Sequence, residues 1–291
     1  MKDGRGAQRS RTIEPVERLT GHAVVGTRSL GSVTRCSLDD GREVVAKSGD
    51  TQRSGAGPST RVAAEAAGLR WLAAAEAVAV PAVLGADDGW LVTEAVASGS
   101  SSREAAEGFG RSLAAMHAAG APAFGSPPPG GPADAWIGDA PMRNEAHDGP
   151  WLDWYVEQRV LPYARLAVDR GAMSGDQAAR IESAVGRLDP GPDEPPARLH
   201  GDLWSGNVLW GPEGAVVIDP AAHGGHRETD LAMLAVFGLP HLETVLAAYD
   251  EAVPLAAGWR DRVGLHQLFP LLVHAALFGG GYADAAVRTV T

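Results

Sequence analysis

The sequence predicts an α+β protein of two lobes, a small antiparallel sheet with one helix followed by a larger, mostly helical part. Three observations predict it. Short apolar runs separated by Asp-Gly turns fill residues 20–96; apolar residues at helical spacing dominate from Arg103 onward; and residues 98–102, small and polar, separate the two regions.

The elements follow in order. Residues 1–11 are basic and lack periodicity, so residues 1–19 read as a mobile tail. Strands are predicted at 23–25, 33–38 and 43–47, with Asp39-Asp40-Gly41 as a hairpin turn. Residues 50–59, rich in Gly and Ser, read as a loop. Residues 60–75 place Val62, Ala66, Leu69 and Ala73 on one helical stripe, with Glu65 near its start. Two more strands, 80–84 and 90–95, flank Asp87-Asp88-Gly89 and complete a small lobe over residues 20–96. The larger lobe, 97–291, opens with a helix at 103–119 whose Phe109, Leu113 and Met116 face a core. Pro and Gly make 122–132 a loop. Residues 151–171 read as a helix interrupted by Pro162, and 174–188 as a helix with Ile181, Val185 and Leu188 on one stripe. The remainder is predominantly helical, and no internal repeat is present.

Composition excludes several classes. A chain of 291 residues that is 45% hydrophobic can bury a real core. The lone cysteine, Cys36, permits no intrachain disulfide and reads as a packed strand residue. Without a signal-like start or an apolar run of about 18 residues, the chain is expected to be cytoplasmic and to have no membrane partner. A formal charge of −11 lacks the basic stripe that nucleic acid requires.

The most informative stretch is Leu199-His200-Gly201-Asp202-Leu203-Trp204-Ser205-Gly206-Asn207, followed by Asp219 in Val216-Val217-Ile218-Asp219-Pro220. A short loop leaving a strand can aim Asp202 and Asn207 into one cleft. Asp219 returns beside them if 208–210 and 215–218 pair across Gly211-Pro212-Glu213-Gly214. This is the donor pattern of phosphoryl transfer from ATP: Asp202 to meet a substrate hydroxyl, Asn207 and Asp219 as hard-oxygen ligands for Mg²⁺. A lone loop aspartate is ordinarily a backbone cap, and the joint pattern argues against that here. His200 reads as a structural ring holding the loop rather than a ligand or base. His223-Gly224-Gly225-His226 has no cysteine partner and is a poor zinc site. Lys47 closes the alternating strand 43–47 as a lone cation that can help hold an anionic nucleotide, and Glu65 is its natural counter-ion, with Glu76 a second candidate.

These residues resemble the catalytic loop and metal-binding aspartate of the protein-kinase-like superfamily, in the form HGDxxxxN with IDP. Within it, Trp204 and the block Gly225-His226-Arg227-Glu228-Thr229-Asp230-Leu231-Ala232-Met233-Leu234 are similar to the fructosamine kinase (ketosamine 3-kinase) family. The resemblance implies a bilobal protein-kinase-like fold with ATP between the lobes, and an acceptor that is a ketosamine, free or on a glycated protein, phosphorylated at the sugar 3-hydroxyl. By the same resemblance Asp230 keeps the catalytic loop rigid, and Thr93, Glu94 and Ala95 form the hinge where adenine meets backbone groups. Gly31 and Ser32 belong to a phosphate-facing loop whose glycines, Gly26 and Gly31, are separated where the family pairs them. Arg227 either shapes the acceptor side or pairs to hold a helix start, and Trp204 either floors the acceptor or anchors the loop. Trp136, Trp151, Trp154 and Tyr155 sit at helical spacing and read as core more than as a substrate platform. Rival readings keep the catalytic residues and change the acceptor to an aminoglycoside, a methylthio-sugar or an amino alcohol such as choline. A nucleotide-binding regulator without turnover and a protein kinase fit less well, the latter because no Arg precedes Asp202.

Overall fold

The computed structural model describes residues 3–49 and 58–290, with side chains from Thr12 and Thr60 onward in the two segments. The chain opens with helix α1 (Asp3–Thr20), then β1 (Val24–Leu30), β2 (Val33–Leu38) and β3 (Glu43–Ser48), helix α2 (Pro58–Ala73), β4 (Val83–Ala86) and β5 (Trp90–Glu94). The strands form one antiparallel sheet in the order β1-β2-β3-β5-β4. Alternation along β3 sends Val44 and Ala46 to one face and Lys47 to the other. The first face packs with Cys36, Leu38 and Val92 under Val16 and Leu19 of α1, and the second meets α2 through Leu91, Val62, Ala66 and Leu69.

Over the described residues 3–19, helix α1 stands where the sequence predicts part of a mobile tail spanning 1–19. Val16 is fully buried, worth about 1.5–3 kcal/mol, and the Leu19 side chain fills the space that the missing side chain of Gly85 leaves. An ion pair from Arg18 to Asp87 and a bond from Val24 N to Glu17 Oε1 (2.9 Å) fasten its end. Strand β1 also runs beyond its expected end at Val25 and closes a two-residue hairpin at Gly31-Ser32, where Gly31 takes φ +61°. The loop expected over 50–59 lies outside the described residues, apart from the start of α2.

The larger part contains α3 (Arg103–Ala118), the hairpin β6 (Asp134–Ile137) and β7 (Ala140–Arg143), α4 (Trp151–Tyr155), α5 (Leu161–Asp169) and α6 (Gly175–Val185). Then come β8 (Ala197–Leu199), β9 (Val208–Gly211), β10 (Gly214–Val217), β11 (His223–Gly225), α7 (Arg227–Phe237), α8 (Leu242–Ala252), α9 (Trp259–Phe278) and α10 (Tyr282–Arg288). Ser102 caps α3 through a bond from Ala105 N (3.1 Å), and Ser174 forms a capping box with Gln177 on α6. Pro162 sits in the first turn of α5, where its missing N–H is harmless; the interruption expected there takes the form of a π turn at Val156–Val160. Trp154, Tyr155, Phe269 and Leu272 anchor one core, and Phe109, Leu113, Tyr249 and Leu234 another. No described helix is long and apolar enough to cross a membrane.

Candidate active site

The loop after β8 is built from backbone outward. Strands β8 and β11 pair with Leu199 opposite His223, which brings Gly201 against residues 221–223. Gly201 takes φ +80°, and a Cβ there would stand 2.1 Å from the Ala221 carbonyl oxygen, so only glycine fits. The Asp230 carboxylate, buried at the start of α7, receives the N–H groups of His200 (2.8 Å) and Gly201 (3.0 Å), one on each oxygen. His117 of α3 lies 3.1 Å from the same carboxylate and is itself held by Tyr249 (2.8 Å). Burial alone would raise the Asp230 pKa; His117, His200 and the backbone bond overturn it and hold it below the usual range. Burial likewise lowers the His200 pKa. Its neutral ring bonds the Ile218 carbonyl through Nε2 (2.9 Å) and accepts the Asp202 N–H at Nδ1 (3.3 Å), so it ties the loop to the strand leading to Asp219.

The expected hairpin forms, with Val208 opposite Val217 and Trp210 opposite Ala215. Ile218 N then donates to Asn207 O (3.0 Å), which sets Asp219 beside the loop. Asp219 adopts φ +53°, a left-handed conformation that costs a non-glycine residue on the order of 1–3 kcal/mol. Asn207 donates Nδ2 to the Asp202 carbonyl (2.8 Å) and to its Oδ2 (3.1 Å), which leaves the amide oxygen to face elsewhere. Lys47 Nζ stands 2.7 Å from Glu65 Oε2 and 3.4 Å from Asp219 Oδ1. Burial pulls the lysine down, but Glu65 and Asp219 outweigh it and its pKa is raised; burial also raises Glu65. For Asp202, burial, then the like charges of Asp219 and Asp230, outweigh Asn207 and Lys47 and push the carboxyl up to about 7. Lys47, Glu65, Asp202, Asn207 and Asp219 all line one cleft of about 1330 Å³.

The fructosamine kinase family model matches residues 51–291. The chain belongs to the fructosamine kinase family. It is 35% identical over 233 residues to a probable ketoamine kinase of Synechocystis sp., covering 77% of this chain and 75% of that one. To a probable ketoamine kinase of Klebsiella aerogenes it is 38% identical over 143 residues, and that match spans only about half of either protein, 48% of each. A crystal structure from Thermobifida fusca YX-ER1, of a protein assigned as a fructosamine-3-kinase, superposes with a TM-score of 0.88 at 47% identity, covering 96% of both chains. The bilobal α+β fold expected from the sequence is therefore that of protein-kinase-like phosphotransferases.

Around the five central residues, this fructosamine kinase family member places the other expected positions unevenly. Ser32 lines the cleft and Gly31 does not. Thr93, Glu94 and Ala95 are absent from its lining; the N–H of Glu94 bonds Ala82 O and that of Ala95 bonds Glu43 O, both at 3.0 Å. Those two donors serve the sheet and not an adenine. Arg227 points away from the cleft and forms a two-pronged bond with Glu194, each prong 2.7 Å, plus bonds to the carbonyls of Val253 and Pro254. It fastens the start of α7 to the segment before β8. Trp204 lines the cleft, 37% exposed, its ring lying across Gly206 and edge-on to Phe237 at 6.0 Å. Trp136 lines the cleft too, whereas Trp151, Trp154 and Tyr155 are buried core. Sequence reasoning missed Arg61, Asp139, Leu277 and Phe278 in the cleft wall and His117 behind Asp230. His117 had one available signal, a histidine one position beyond Met116 on the core face of α3.

Proposed function

We propose that the protein transfers the γ-phosphoryl group of ATP to the 3-hydroxyl of a ketosamine sugar, a fructosamine or ribulosamine adduct carried by a small amine or by a protein. The observation that carries the reading is the convergence of Asp202, Asn207, Asp219 and Lys47 on one cleft. The names of the relatives, ketoamine kinases, support the acceptor class.

In this mechanism Asp202 accepts the hydrogen bond of the sugar hydroxyl, orients its oxygen in line with the γ-phosphate and takes the proton. Lys47, held by Glu65, meets the α- and β-phosphates. The donor set fits a hard divalent ion, because Asn207 offers a neutral oxygen and Asp219 a half-exposed carboxylate beside an already crowded Asp202. Mg²⁺ bound there would offset charge on the phosphates. Catalysis is then positional and electrostatic, with Trp204 and Phe278 presenting apolar surface beside the acceptor.

The test is an acceptor screen with labelled ATP: lysine carrying fructose or ribulose, against aminoglycosides and choline-like alcohols, with Asp202→Asn as the blank. Label on the ketosamine alone is expected. Label on an aminoglycoside or amino alcohol instead would refute the acceptor. In the same assay Lys47→Met is expected to lower turnover by about 10²- to 10³-fold, the size of one preorganised charge-stabilising donor. Its folding is expected to suffer far less, since Glu65 already holds a raised pKa and can take a proton once the lysine is gone. A thermal melt run beside the kinetics separates the two effects.

A further inference from the structure

Residues 61, 65 and 68 lie at i, i+4 and i+7 on α2 and so share one helical face. Glu65, in the middle, holds Lys47. The two flanking positions touch the larger lobe. The Arg61 guanidinium lies 4.4 Å from the centroid of the Trp136 ring, its Nη1 donates to the Gly138 carbonyl at 2.8 Å, and it stands 3.2 Å from Asp139 Oδ1. All three partners belong to the β6–β7 hairpin and its turn. At the other end a Cβ on Gly68 would come within 3.2 Å of Ala222 Cβ and 3.3 Å of Pro220 Cγ, so the helix rests on the segment directly after Asp219. Of the Arg61 contacts, the pair with the half-exposed Asp139 adds little, while the ring and the carbonyl define a plane and a direction. A guanidinium can lie against the ring while donating in its own plane, and an ammonium, a point charge on a flexible stem, fixes that geometry less well.

We propose that Arg61 is a positioning residue for phosphoryl transfer: by docking α2 on the β6–β7 hairpin it sets the height and rotation of the helix at which Glu65 holds Lys47 toward the nucleotide. This rests on the phosphotransfer reading of Lys47 and Asp202. In this role Arg61, though part of the cleft wall, acts through Glu65 rather than on phosphate or sugar. Contacts with the larger lobe thus flank the glutamate on its own helix face, while the far end of α2 is held separately by Arg198, whose Nη1 donates to the Trp71 carbonyl at 2.7 Å.

The experiment is a double-mutant cycle of Arg61→Ala and Glu65→Gln, read by Mg–ADP affinity without acceptor and by kcat and acceptor KM with it. Arg61→Ala is expected to weaken Mg–ADP binding and to lower kcat by roughly ten- to a hundredfold, the cost of a misplacement of about 1 Å, with acceptor KM unchanged. On the Glu65→Gln background it is expected to add less than about twofold, because the two act in series. Arg61→Lys is expected to restore only a minor part of the loss. Additive losses, or a raised acceptor KM with nucleotide affinity intact, would overturn the proposal and make Arg61 an acceptor contact. If Arg61→Ala does not fold, Trp136→Leu removes the surface under the guanidinium and enters the same cycle with the same expectations. A wild-type protein that binds no Mg–ADP would refute the phosphotransfer reading itself, an outcome distinct from additivity.

Discussion

Asp202→Asn is expected to reduce phosphoryl transfer by about 10²- to 10⁴-fold, the share of a positioned general base, while nucleotide affinity survives. Asparagine preserves the shape and can keep a bond to Asn207, so the loss isolates proton acceptance. The wild-type rate carries a second signature. Because burial and then Asp219 and Asp230 push the Asp202 carboxyl to about 7, the basic form needed for catalysis is depleted as pH drops below that value. The kcat/KM profile is expected to show an acid limb there, and raising Mg²⁺ is expected to move it to lower pH by stabilising the carboxylate. Stability runs the opposite way. The folded chain retains a proton on Asp202 between 3.8 and about 7 that the unfolded chain has lost, so stability falls as pH rises across that window. The asparagine variant escapes this, and its melting temperature relative to wild type is expected to improve between about pH 5 and about pH 8. An Asp202→Asn enzyme with near-normal turnover would remove the residue from its role.

The loop and hairpin from Leu199 to Asp219 were legible because their interactions are local: a glycine at φ +80°, a tight turn and an i, i+5 amide bond all lie within about one motif's length of sequence. The Lys47–Glu65 pair was legible for a related reason, since strand alternation and helical spacing fix the faces that meet. What stayed hidden depends on partners distant in sequence. Helix α1 shows a short apolar stripe, Val16 and Leu19 at its core-facing end, preceded by Pro15 and a basic start, and the stripe acquires meaning once Gly85 and the completed sheet receive it. Hairpin β6–β7 has strands of only four residues around its Gly138-Asp139 turn, too short for alternation to mark them, yet it supplies Trp136 and Asp139 to the cleft wall. Arg227 could be read as facing the acceptor because its partner, Glu194, lies 33 residues upstream in a proline-rich segment without periodicity. At Thr93, Glu94 and Ala95 the strand expected over 90–95 is what forms, and the N–H groups of Glu94 and Ala95 are taken by Ala82 O and Glu43 O, partners that no local pattern marks.

Arg262→Ala is expected to cause the largest loss of stability, about 3–5 kcal/mol, because it strands a buried anion. Arg262 meets Glu228 with both prongs, Nε to Oε2 at 3.1 Å and Nη2 to Oε1 at 2.6 Å, with the two side chains only 5% and 3% exposed. His266 Nε2 stands 3.2 Å from the same carboxylate. Burial alone would raise the Glu228 pKa; the neighbouring His266 and the bonds from Arg262 reverse that and hold it down to about 2. A depressed carboxyl contributes stability that is complete above its unfolded value, 4.5, and that is lost as pH falls from there toward about 2. The wild type is therefore expected to lose melting temperature steeply over that acid window. Arg262→Ala, which melts roughly 10 °C lower near neutrality, is expected to show a shallower acid slope, since its Glu228 is no longer held ionised. Glu228 begins α7 two residues before Asp230, so the damage is expected to reach the catalytic loop, with turnover falling before global unfolding on a temperature ramp. Replacing the pair together, Glu228→Leu with Arg262→Met, is expected to recover most of the stability, because a well-packed apolar pair can stand in for a buried ion pair that only one deletion would break. A double variant as unstable as Arg262→Ala alone would show that the pair itself, and not the orphaned charge, holds α7 against α9.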